Sequence, residues 1–367
     1  MDVEQELAPL RREVAQLDRE ILALVGRRLA TTRKIGEAKH RAGLPIRDFR
    51  VEVEVLSRAR ASARELGFDE EVAEQVLEHL MAAAVQTQAE IPRGLPAVGS
   101  RKVLVVGGSG RMGVWLCRFF EAQGHSVTIC DSSDQESPWP RVSLAEGVPD
   151  SEVVVLATPL KVTPQVLEQV LRSGGKPLIF DICSLKSQVA PILRRAALDG
   201  HRVTSLHPMF APGAVLLHGR AVLVCDAGCR EATDAALDLF AETALGLFEV
   251  ELEQHDKIMA VVLGMSHAVN LQFAHAAGHF GLPFAFLGKV ASTTFAKLVK
   301  TTAEVSEENP VLYHEIQHYN TFTTEMFALL ESSLATLKAA SIRPQSDEFL
   351  AYMKSCREYF RPHPGGA

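Results

Sequence analysis

The sequence predicts a multidomain protein in which an all-α domain (1–91) is followed by an α/β domain (101–250) and then by a second all-α domain (251–367). Three observations predict this order. Apolar residues recur at spacings of three and four in the first domain, short apolar runs alternate with amphipathic segments in the second, and helical periodicity returns in the third. The segment 92–100 is rich in proline and glycine and is predicted to be a linker.

Composition restricts the class of protein. A length of 367 residues exceeds one typical domain, and 47% hydrophobic with 23% charged residues is ordinary for a globular protein. The charged N-terminus does not resemble a signal peptide, and we expect no membrane-spanning segment. Six cysteines without metal-ligand spacing indicate thiols in a reducing cytosol and no metal site. The net charge of −7 disfavours nucleic acid as a partner, so a soluble cytoplasmic enzyme is expected.

The first domain is predicted to contain three helices. The first runs to about Lys39, and Gly43-Leu44-Pro45 ends it. The second covers roughly 48–65, and Asp69 is the predicted N-cap of a third that runs to about Glu90. Since three helices of unequal length do not easily close a core, a homodimer is expected.

The stretch from Lys102 to Asp131 predicts a dinucleotide-binding βαβ unit, because a strand, a glycine turn, a helix and a second strand end in an acidic residue. In the turn, Gly108 is expected to allow the tight bend, Gly110 the approach of backbone N–H groups to a pyrophosphate, and Gly113 close packing of the helix. The position of Asp131 suits ribose hydroxyls and favours NAD over NADP. The predicted cofactor residues are Gly108, Gly110, Arg111, Met112, Gly113, Asp131 and Thr158.

Further strands are predicted at 153–157, 177–181, 203–206 and 222–224, giving a mostly parallel sheet. Because ligands bind at the carboxyl ends of such strands, Ala157, Asp181 and His207 are expected near the nicotinamide. Predicted helices of the third domain cover 254–279, 307–337 and 346–359.

Three basic residues of the first helix are candidates for binding one ligand, although each alone is more typical of a solvated helix face. Arg28 and Lys39 are 11 residues apart and lie only about 20° apart around the helix, whereas Arg11 points about 100° away from Arg28. One helix therefore cannot aim all three cations at one small ligand, but two crossing copies could.

About 85 N-terminal residues resemble the all-helical chorismate mutase family. The matching motifs are Leu10-Arg11, Arg27-Arg28-Leu29, Gly36-Glu37-Ala38-Lys39, Gly43-Leu44-Pro45-Ile46-Arg47-Asp48 and Gln88. The resemblance implies an intertwined dimer in which Arg11 reaches the partner's pocket, where it and Arg28 hold two carboxylates. It also implies that Lys39 and Gln88 stabilise the ether oxygen as the C–O bond breaks.

Two mutase positions depart from the family pattern. The resemblance implies that Asp48 and Glu52 contact the C4 substituent, together with a serine that is Ala84 here. An arginine expected immediately before Glu52 is Val51.

The remaining 265 or so residues resemble prephenate dehydrogenase. The matching motifs are Asp181-Ile182-Cys183-Ser184-Leu185-Lys186, Leu206-His207-Pro208-Met209-Phe210-Ala211-Pro212, Glu253-Gln254-His255-Asp256 and Ser266-His267. The resemblance implies that His207 accepts the proton of the C4 hydroxyl while hydride leaves for NAD, and that Ser184, Lys186 and His267 bind substrate. The order of the two parts makes chemical sense, because the product of the first reaction is the substrate of the second.

Two dehydrogenase positions also depart. A serine near the C4 hydroxyl is Ala157, and an arginine that grips a carboxylate is Ala296 followed by Lys297. No arginine occurs between Glu231 and Ile342, so Lys297 would supply a point charge instead of a bidentate fork.

Three alternatives to a mutase–dehydrogenase acting on chorismate remain open. The substrate could carry a C4 amine, as in 4-amino-4-deoxychorismate, since one departure in each half falls on a group expected to touch C4. The chain could instead be a non-catalytic NAD-binding regulator whose mutase helices serve dimerisation. It could also be a generic hydroxyacid or imine-reducing dehydrogenase.

Overall fold

The computed structural model describes residues 3–42, 44, 47–88 and 100–361. The chain forms two compact units. The first contains Met1–Cys183 and Val189–Leu252, and the second contains Ser184–Gln188 and Glu253–Ala367. The N-terminal helices and the sheet therefore belong to one unit, and the C-terminal helices to the other.

Three helices open the first unit: α1 (Val3–Arg41), α2 (Phe49–Leu66) and α3 (Glu70–Gln88). Gly67 ends α2 in the left-handed conformation, with φ 77°, which glycine adopts without steric cost. The side chain of Asp69 accepts a hydrogen bond from the Glu71 N–H at 2.8 Å, as its prediction as an N-cap requires. Gly43, Pro45 and the greater part of the predicted linker 92–100 lie outside the described residues.

Helix α1 lacks a core of its own along most of its length. Among its described residues only Gly36 is buried. Five apolar side chains at helical spacing are each between 51% and 58% exposed, namely Leu10, Val14, Leu17, Ile21 and Leu24. Such a stripe is usually covered in the functional state of a protein.

A seven-stranded sheet follows, in the order β2-β1-β3-β4-β5-β6-β7. Its strands are β1 (Lys102–Val106), β2 (Ser126–Cys130), β3 (Val153–Leu156), β4 (Leu178–Asp181), β5 (Arg202–Pro208), β6 (Ala221–Cys225) and β7 (Gly246–Glu249). β1 to β5 are parallel, β6 is antiparallel to β5, and β7 is parallel to β6. The sequence did not predict β7, an edge strand whose Phe248 is 56% exposed.

Helices between the strands cover the sheet: α4 (Arg111–Ala122), α5 (Leu144–Asp150), α6 (Thr163–Arg172), α7 (Ala190–Leu198) and α8 (Arg230–Asp238). β3 and β4 are buried along their full length, as expected for parallel strands with helices on both faces. The sheet thus completes its core within one chain.

The second unit is helical. It contains α9 (Leu252–Met259), a π-helical segment (Ala260–Met265), α10 (Ser266–Gly278), α11 (Phe284–Lys289), α12 (Thr293–Glu307), α13 (Pro310–Tyr319), α14 (Thr323–Ser341) and α15 (Asp347–Tyr359).

The predicted single helix 307–337 is wrong, because the structure ends one helix at Glu307 and divides the rest into α13 and α14. Asn309 begins α13 by accepting hydrogen bonds from the N–H groups of Val311 and Leu312, with Pro310 at the first helical position. Asn320 separates α13 from α14, and its side-chain oxygen accepts from the Phe322 N–H at 2.9 Å. The sequence also missed α11 and α12.

One helical stretch of the described chain, Leu252–Gly278, is long and apolar enough to cross a membrane by length and composition alone. This finding differs from the expectation of no such segment. The stretch also contains the buried polar residues His255, Asp256 and His267, which suit a helix packed inside a protein.

Candidate active sites

The glycine turn after β1 is built for close backbone contact. The residue with positive φ is Gly107, at 85°, so the assignment of the tight bend to Gly108 was wrong. A β-carbon at Gly107 would lie 2.6 Å from the carbonyl oxygen of Ala157, and one at Gly108 would collide with the side chain of Ile129. A β-carbon at Gly113 would collide with the Gly107 carbonyl, in keeping with the close helix packing expected there.

This turn lies at the point where the strand order reverses, since β1 pairs with β2 on one side and β3 on the other. Ligands of open α/β sheets bind at such a reversal. Gly110 precedes α4 without any side-chain cap, which leaves the positive helix start open to an anion. Arg111 is exposed at this start, and Met112 packs partly against the core.

Asp131 is fixed beside the turn. Its carboxylate accepts hydrogen bonds from the N–H groups of Ser109 and Ser133, each at 2.8 Å. On the facing loop, the hydroxyl of Thr158 lies 2.8 Å from that of Thr163. A β-carbon at Gly107, Gly108 or Gly113 would collide with neighbouring atoms, the start of α4 has no side-chain cap, and an acidic residue follows β2. The site therefore fits a dinucleotide.

His207 lies near the carboxyl end of β5, opposite Leu223 of β6, and is 5% exposed. Ala157 and Asp181 lie at the same ends of β3 and β4, as the sequence predicts. Asp181 is fully buried and accepts from the Ser205 hydroxyl at 2.6 Å and the Cys183 N–H at 2.9 Å. These hydrogen bonds give the buried side-chain oxygens of Asp181 their partners.

In the second unit, Asp256 anchors the segment that contains Ser184 and Lys186. Its carboxylate accepts from the N–H groups of Lys186 at 2.7 Å and Ser187 at 2.8 Å, and lies 2.8 Å from the His255 ring. Burial alone raises the pKa of Asp256, but these three hydrogen bonds outweigh burial and hold the pKa below its ordinary value. Lys186 is fully buried and Ser184 half-buried. Sequence reasoning noted Asp256 only as part of a motif and missed this positioning role.

His267 and Lys297, also in the second unit, differ in surroundings. The ring of His267 is stacked on Tyr313 with 3.9 Å between centroids, and burial lowers the pKa of His267. Lys297 lies on an exposed part of α12, beside Ala296.

The structure places two predicted mutase residues at the contact of α1 with α3. Arg28 donates to the carbonyl oxygen of Leu80 at 3.1 Å, and Gln88 donates to that of Thr32 at 2.8 Å. Burial lowers the pKa of Arg28. Lys39 is half-buried in the last turn of α1.

Glu52 and Asp48 lie at the start of α2. Asp48 is the N-cap and accepts from the Arg50 N–H at 3.1 Å. Glu52 is 8% exposed, and its Oε1 accepts from the Nε of Arg47 at 2.6 Å. Its second oxygen, Oε2, is buried without a hydrogen-bond partner among the described residues.

A cleft of about 400 Å³ contains Arg28 but none of the other predicted mutase residues. Its remaining lining residues are Val55, Arg58, Ala59, Ser62, Phe68, Ala73, Val76 and Leu77. Arg11 is exposed on α1, where it forms an ion pair with Glu4. Ala84 is 7% exposed on α3.

One group in the described part of the chain has the geometry of metal ligands. Ligand atoms of Glu74, Glu78 and His218 lie within 4.8 Å of one another. Arg60 already forms a bidentate ion pair with Glu74, at 2.6 and 3.0 Å, so a cation would meet a guanidinium there. We therefore assign Glu74 a structural role.

Three family models match the chain in succession. Chorismate mutase type II matches residues 10–89, the nucleotide-binding domain of prephenate dehydrogenase matches 139–244, and its dimerisation domain matches 251–355. A T-protein of Enterobacter agglomerans is 25% identical over 98% of this chain and 94% of its own length. A T-protein of Haemophilus influenzae is 26% identical over 73% of this chain and 69% of its own length.

Solved structures share the fold. Prephenate dehydrogenase from Aquifex aeolicus, in complex with hydroxyphenyl propionate and NAD+, has a TM-score of 0.58 at 18% identity. The match covers 71% of this chain and 96% of that one. A second structure of prephenate dehydrogenase from Aquifex aeolicus has a TM-score of 0.59, also at 18% identity, and the match covers 70% of this chain and 98% of that one. Because a chorismate mutase model and the two domain models of prephenate dehydrogenase match in this order, and T-proteins align with most of the chain, the chain belongs to the family of bifunctional chorismate mutase/prephenate dehydrogenases.

Proposed function

We propose that the chain converts chorismate to prephenate and then oxidises prephenate, with NAD, to 4-hydroxyphenylpyruvate and carbon dioxide. The three family models, in this order, support both reactions. The observation that carries the oxidative step is the position of His207. It lies near the carboxyl end of β5, in the same sheet whose strand β1 leads into the glycine turn.

The mutase step needs no nucleophile, because the substrate rearranges within itself. We assign Arg28, and Arg11 of a second copy, to the two carboxylates of chorismate. Lys39 and Gln88 would stabilise the ether oxygen, which gains negative charge as the C–O bond breaks. Asp48 and Glu52 would contact the C4 substituent.

In the dehydrogenase step, His207 would take the proton of the C4 hydroxyl while the C4–H bond breaks. The ordinary pKa of histidine, about 6.5, suits a base that works near neutral pH. Bound NAD supplies the hydride acceptor. Gly108, Gly110, Arg111, Met112, Gly113, Asp131 and Thr158 would hold NAD, and Ser184, Lys186, His267 and Lys297 would bind the substrate. Loss of the ring carboxylate as carbon dioxide then makes the ring aromatic, and the phenolate oxygen takes back the proton held by His207.

The proposal divides the chain into a mutase domain (1–91), a linker (92–100), an NAD-binding domain (101–250) and a substrate and dimerisation domain (251–367). The exposed stripe on α1 and the match to a dimerisation domain support a homodimer. We propose a cytoplasmic enzyme that binds neither nucleic acid nor membrane. A direct test supplies purified protein with chorismate. Prephenate should accumulate without NAD, whereas 4-hydroxyphenylpyruvate and NADH should form with it; failure to consume chorismate would contradict the proposal.

A second candidate is the same pair of reactions on 4-amino-4-deoxychorismate, giving 4-aminophenylpyruvate. The buried Oε2 of Glu52 has no hydrogen-bond partner among the described residues and would suit an ammonium donor. Ala84 and Ala157 replace groups expected near C4. A comparison of kcat/KM for chorismate and for its 4-amino analogue distinguishes the two candidate substrates. Faster turnover of chorismate would reject the amino substrate. A non-catalytic regulator and a generic dehydrogenase lack a comparable supporting observation.

A further inference from the structure

The loop formed by residues 209–218 follows the strand that carries His207, and the dehydrogenase part of the chain holds one side of it. The indole N–H of Trp115 donates to the Ala214 carbonyl oxygen at 2.9 Å. The ring of Phe210 meets that of Trp115 edge-on, with 4.9 Å between centroids. Leu217 is fully buried in the core of the sheet domain.

The N-terminal helices hold the other side of this loop. Arg47 donates from Nη2 to the carbonyl oxygen of Val215 at 2.7 Å. The Nε2 of His218 lies 2.8 Å from a carboxylate oxygen of Glu74. A loop that begins two residues after His207 is therefore held in part by residues of the mutase helices.

Arg47 connects this loop to Glu52. Its Nε donates to Glu52 while its Nη2 donates to Val215. Because a guanidinium is planar and rigid, these two donor directions are fixed relative to each other. The guanidinium also lies 4.3 Å from the ring centroid of Phe49, which packs on Phe119 of α4 at 5.5 Å. The Arg47 side chain is 18% exposed, so solvent screens the pair only weakly.

Glu52 can take a further partner. One of its carboxylate oxygens is used by Arg47, and the other is buried without a hydrogen bond among the described residues. Buried polar atoms normally have a partner, so this oxygen is a suitable acceptor for a ligand donor. A ligand bound there would share the carboxylate with Arg47.

We propose that Arg47 is a positioning residue for the dehydrogenase reaction. Its hydrogen bond to Val215 fixes the position of the loop 209–218, which follows His207. Its hydrogen bond to Glu52 makes that position depend on whether a ligand is bound in the mutase pocket. The inference rests on the proposed function, since Glu52 belongs to a substrate pocket only if the helices are a mutase. It makes the kinetics of the oxidative step depend on two side chains of the N-terminal part of the chain, Arg47 just before α2 and Glu52 within it.

The test measures NADH formation by the full-length protein from supplied prephenate, or from its 4-amino analogue if the wild type prefers that substrate. Arg47→Gln should lower kcat about tenfold, because loss of one charged hydrogen bond displaces the loop next to the base. The KM for NAD should stay within about twofold, since the glycine turn is not involved. Arg47→Lys should lower kcat by the same factor, because a lysine provides a point charge and not two fixed donors.

Glu52→Gln should lower kcat by a smaller factor, about two- to fivefold, since Arg47 keeps its bond to Val215. The matched control is Glu242→Gln. It removes an exposed ion pair with Arg50, at 3.4 Å, that also joins the helices to the sheet domain. Its kcat should match wild type within about twofold.

Unchanged kcat in both Arg47 variants would overturn the inference, as would an equal loss in Glu242→Gln. If Arg47→Gln does not fold, Arg47→Lys and Glu52→Gln are judged by the same criterion. A wild-type protein that oxidises neither substrate overturns the proposed function as well, whereas an active wild type matched by its Arg47 variants overturns only the role of Arg47.

Discussion

The parallel sheet and the N-terminal helices bury their apolar residues to very different extents. In β1, the side chains from Val103 to Val106 are at most 4% exposed, and β3 and β4 are buried throughout. In α1, five apolar side chains of one stripe are more than half exposed. Crossover helices cover a parallel sheet on both faces, whereas helices of 39, 18 and 19 residues leave most of the longest one uncovered.

This difference extends to the chemistry of each part. The candidate cofactor site is formed by backbone, since glycines bring the turn after β1 into contact with the loop after β3. The candidate mutase site is formed by charged and amide side chains on helix surfaces. We therefore expect substitutions in the sheet domain to affect folding and cofactor binding. Substitutions in the helical part should affect mutase activity and assembly, except at Arg47 and Glu52, which connect to the loop after β5.

Among the substitutions that compare the helices with the sheet, the largest effect is expected when a mutase side chain is removed and the sheet is left intact. Gln88→Ala should lower mutase kcat/KM by about 10²- to 10³-fold, because the developing charge on the ether oxygen loses a donor. Oxidation of supplied prephenate, followed as NADH, should change little. A parallel loss of both activities would show that helices and sheet do not act as separable sites.

Two helical glycines, one in the sheet domain and one in the N-terminal helices, allow the packing of these two regions to be compared. Gly113→Ala in α4 should lower the free energy of unfolding by about 1–3 kcal/mol, because its β-carbon would collide with the Gly107 carbonyl. Gly26→Ala in α1 has open space around it and should raise that free energy by up to about 1 kcal/mol. Chemical denaturation of both variants measures these changes in the free energy of unfolding. Equal changes in the two variants would contradict the expected difference in packing.

The exposed stripe on α1 should matter for assembly. Leu17→Glu places a charge in the middle of the stripe and should shift the protein from dimer toward monomer in sedimentation velocity, since burying an unpartnered charge is costly. The control is Leu198→Glu at the end of α7, where the leucine is 89% exposed on the sheet domain. A dimer that survives Leu17→Glu unchanged would contradict the assignment of the stripe to the interface.

The smallest effect concerns pH. A hydrogen bond from Arg60 is the main cause that holds the pKa of Glu74 below its ordinary value. Since this pKa is lower in the folded state, its contribution to stability is present above the unfolded value, about 4.3, and is lost as pH falls through the folded value. The free energy of unfolding of the Glu74→Gln variant should therefore fall less with decreasing pH in this range than that of the wild type. Glu65→Gln, at an exposed position, is the control and should not show this difference.

Local patterns predicted the sheet better than the long-range contacts around it. Spacing alone identified the glycine turn, but not that Gly107 carries the positive φ, because that depends on the approach of Ala157 from another strand. The helix break at Asn320 was missed for a similar reason, since its amide also donates to the Asp256 carbonyl oxygen, 64 residues away, at 2.8 Å.

The candidate sites were predictable to different degrees. The strand pattern was sufficient to place His207 at a strand end. Arg47 was recognised only within a family motif, since its bond to Val215 joins residues 168 positions apart. Contacts of this kind have no periodic or local signal in a single sequence.

The central claim is that one chain contains two separable active sites, with His207 serving the second alone. The most direct measurement supplies chorismate and NAD to the His207→Asn variant and follows prephenate and NADH together. We expect prephenate to accumulate at the wild-type rate while NADH formation falls by about 10²- to 10⁴-fold, the usual contribution of a general base. NADH formation at the wild-type rate, or loss of prephenate formation in a folded variant, would contradict the claim.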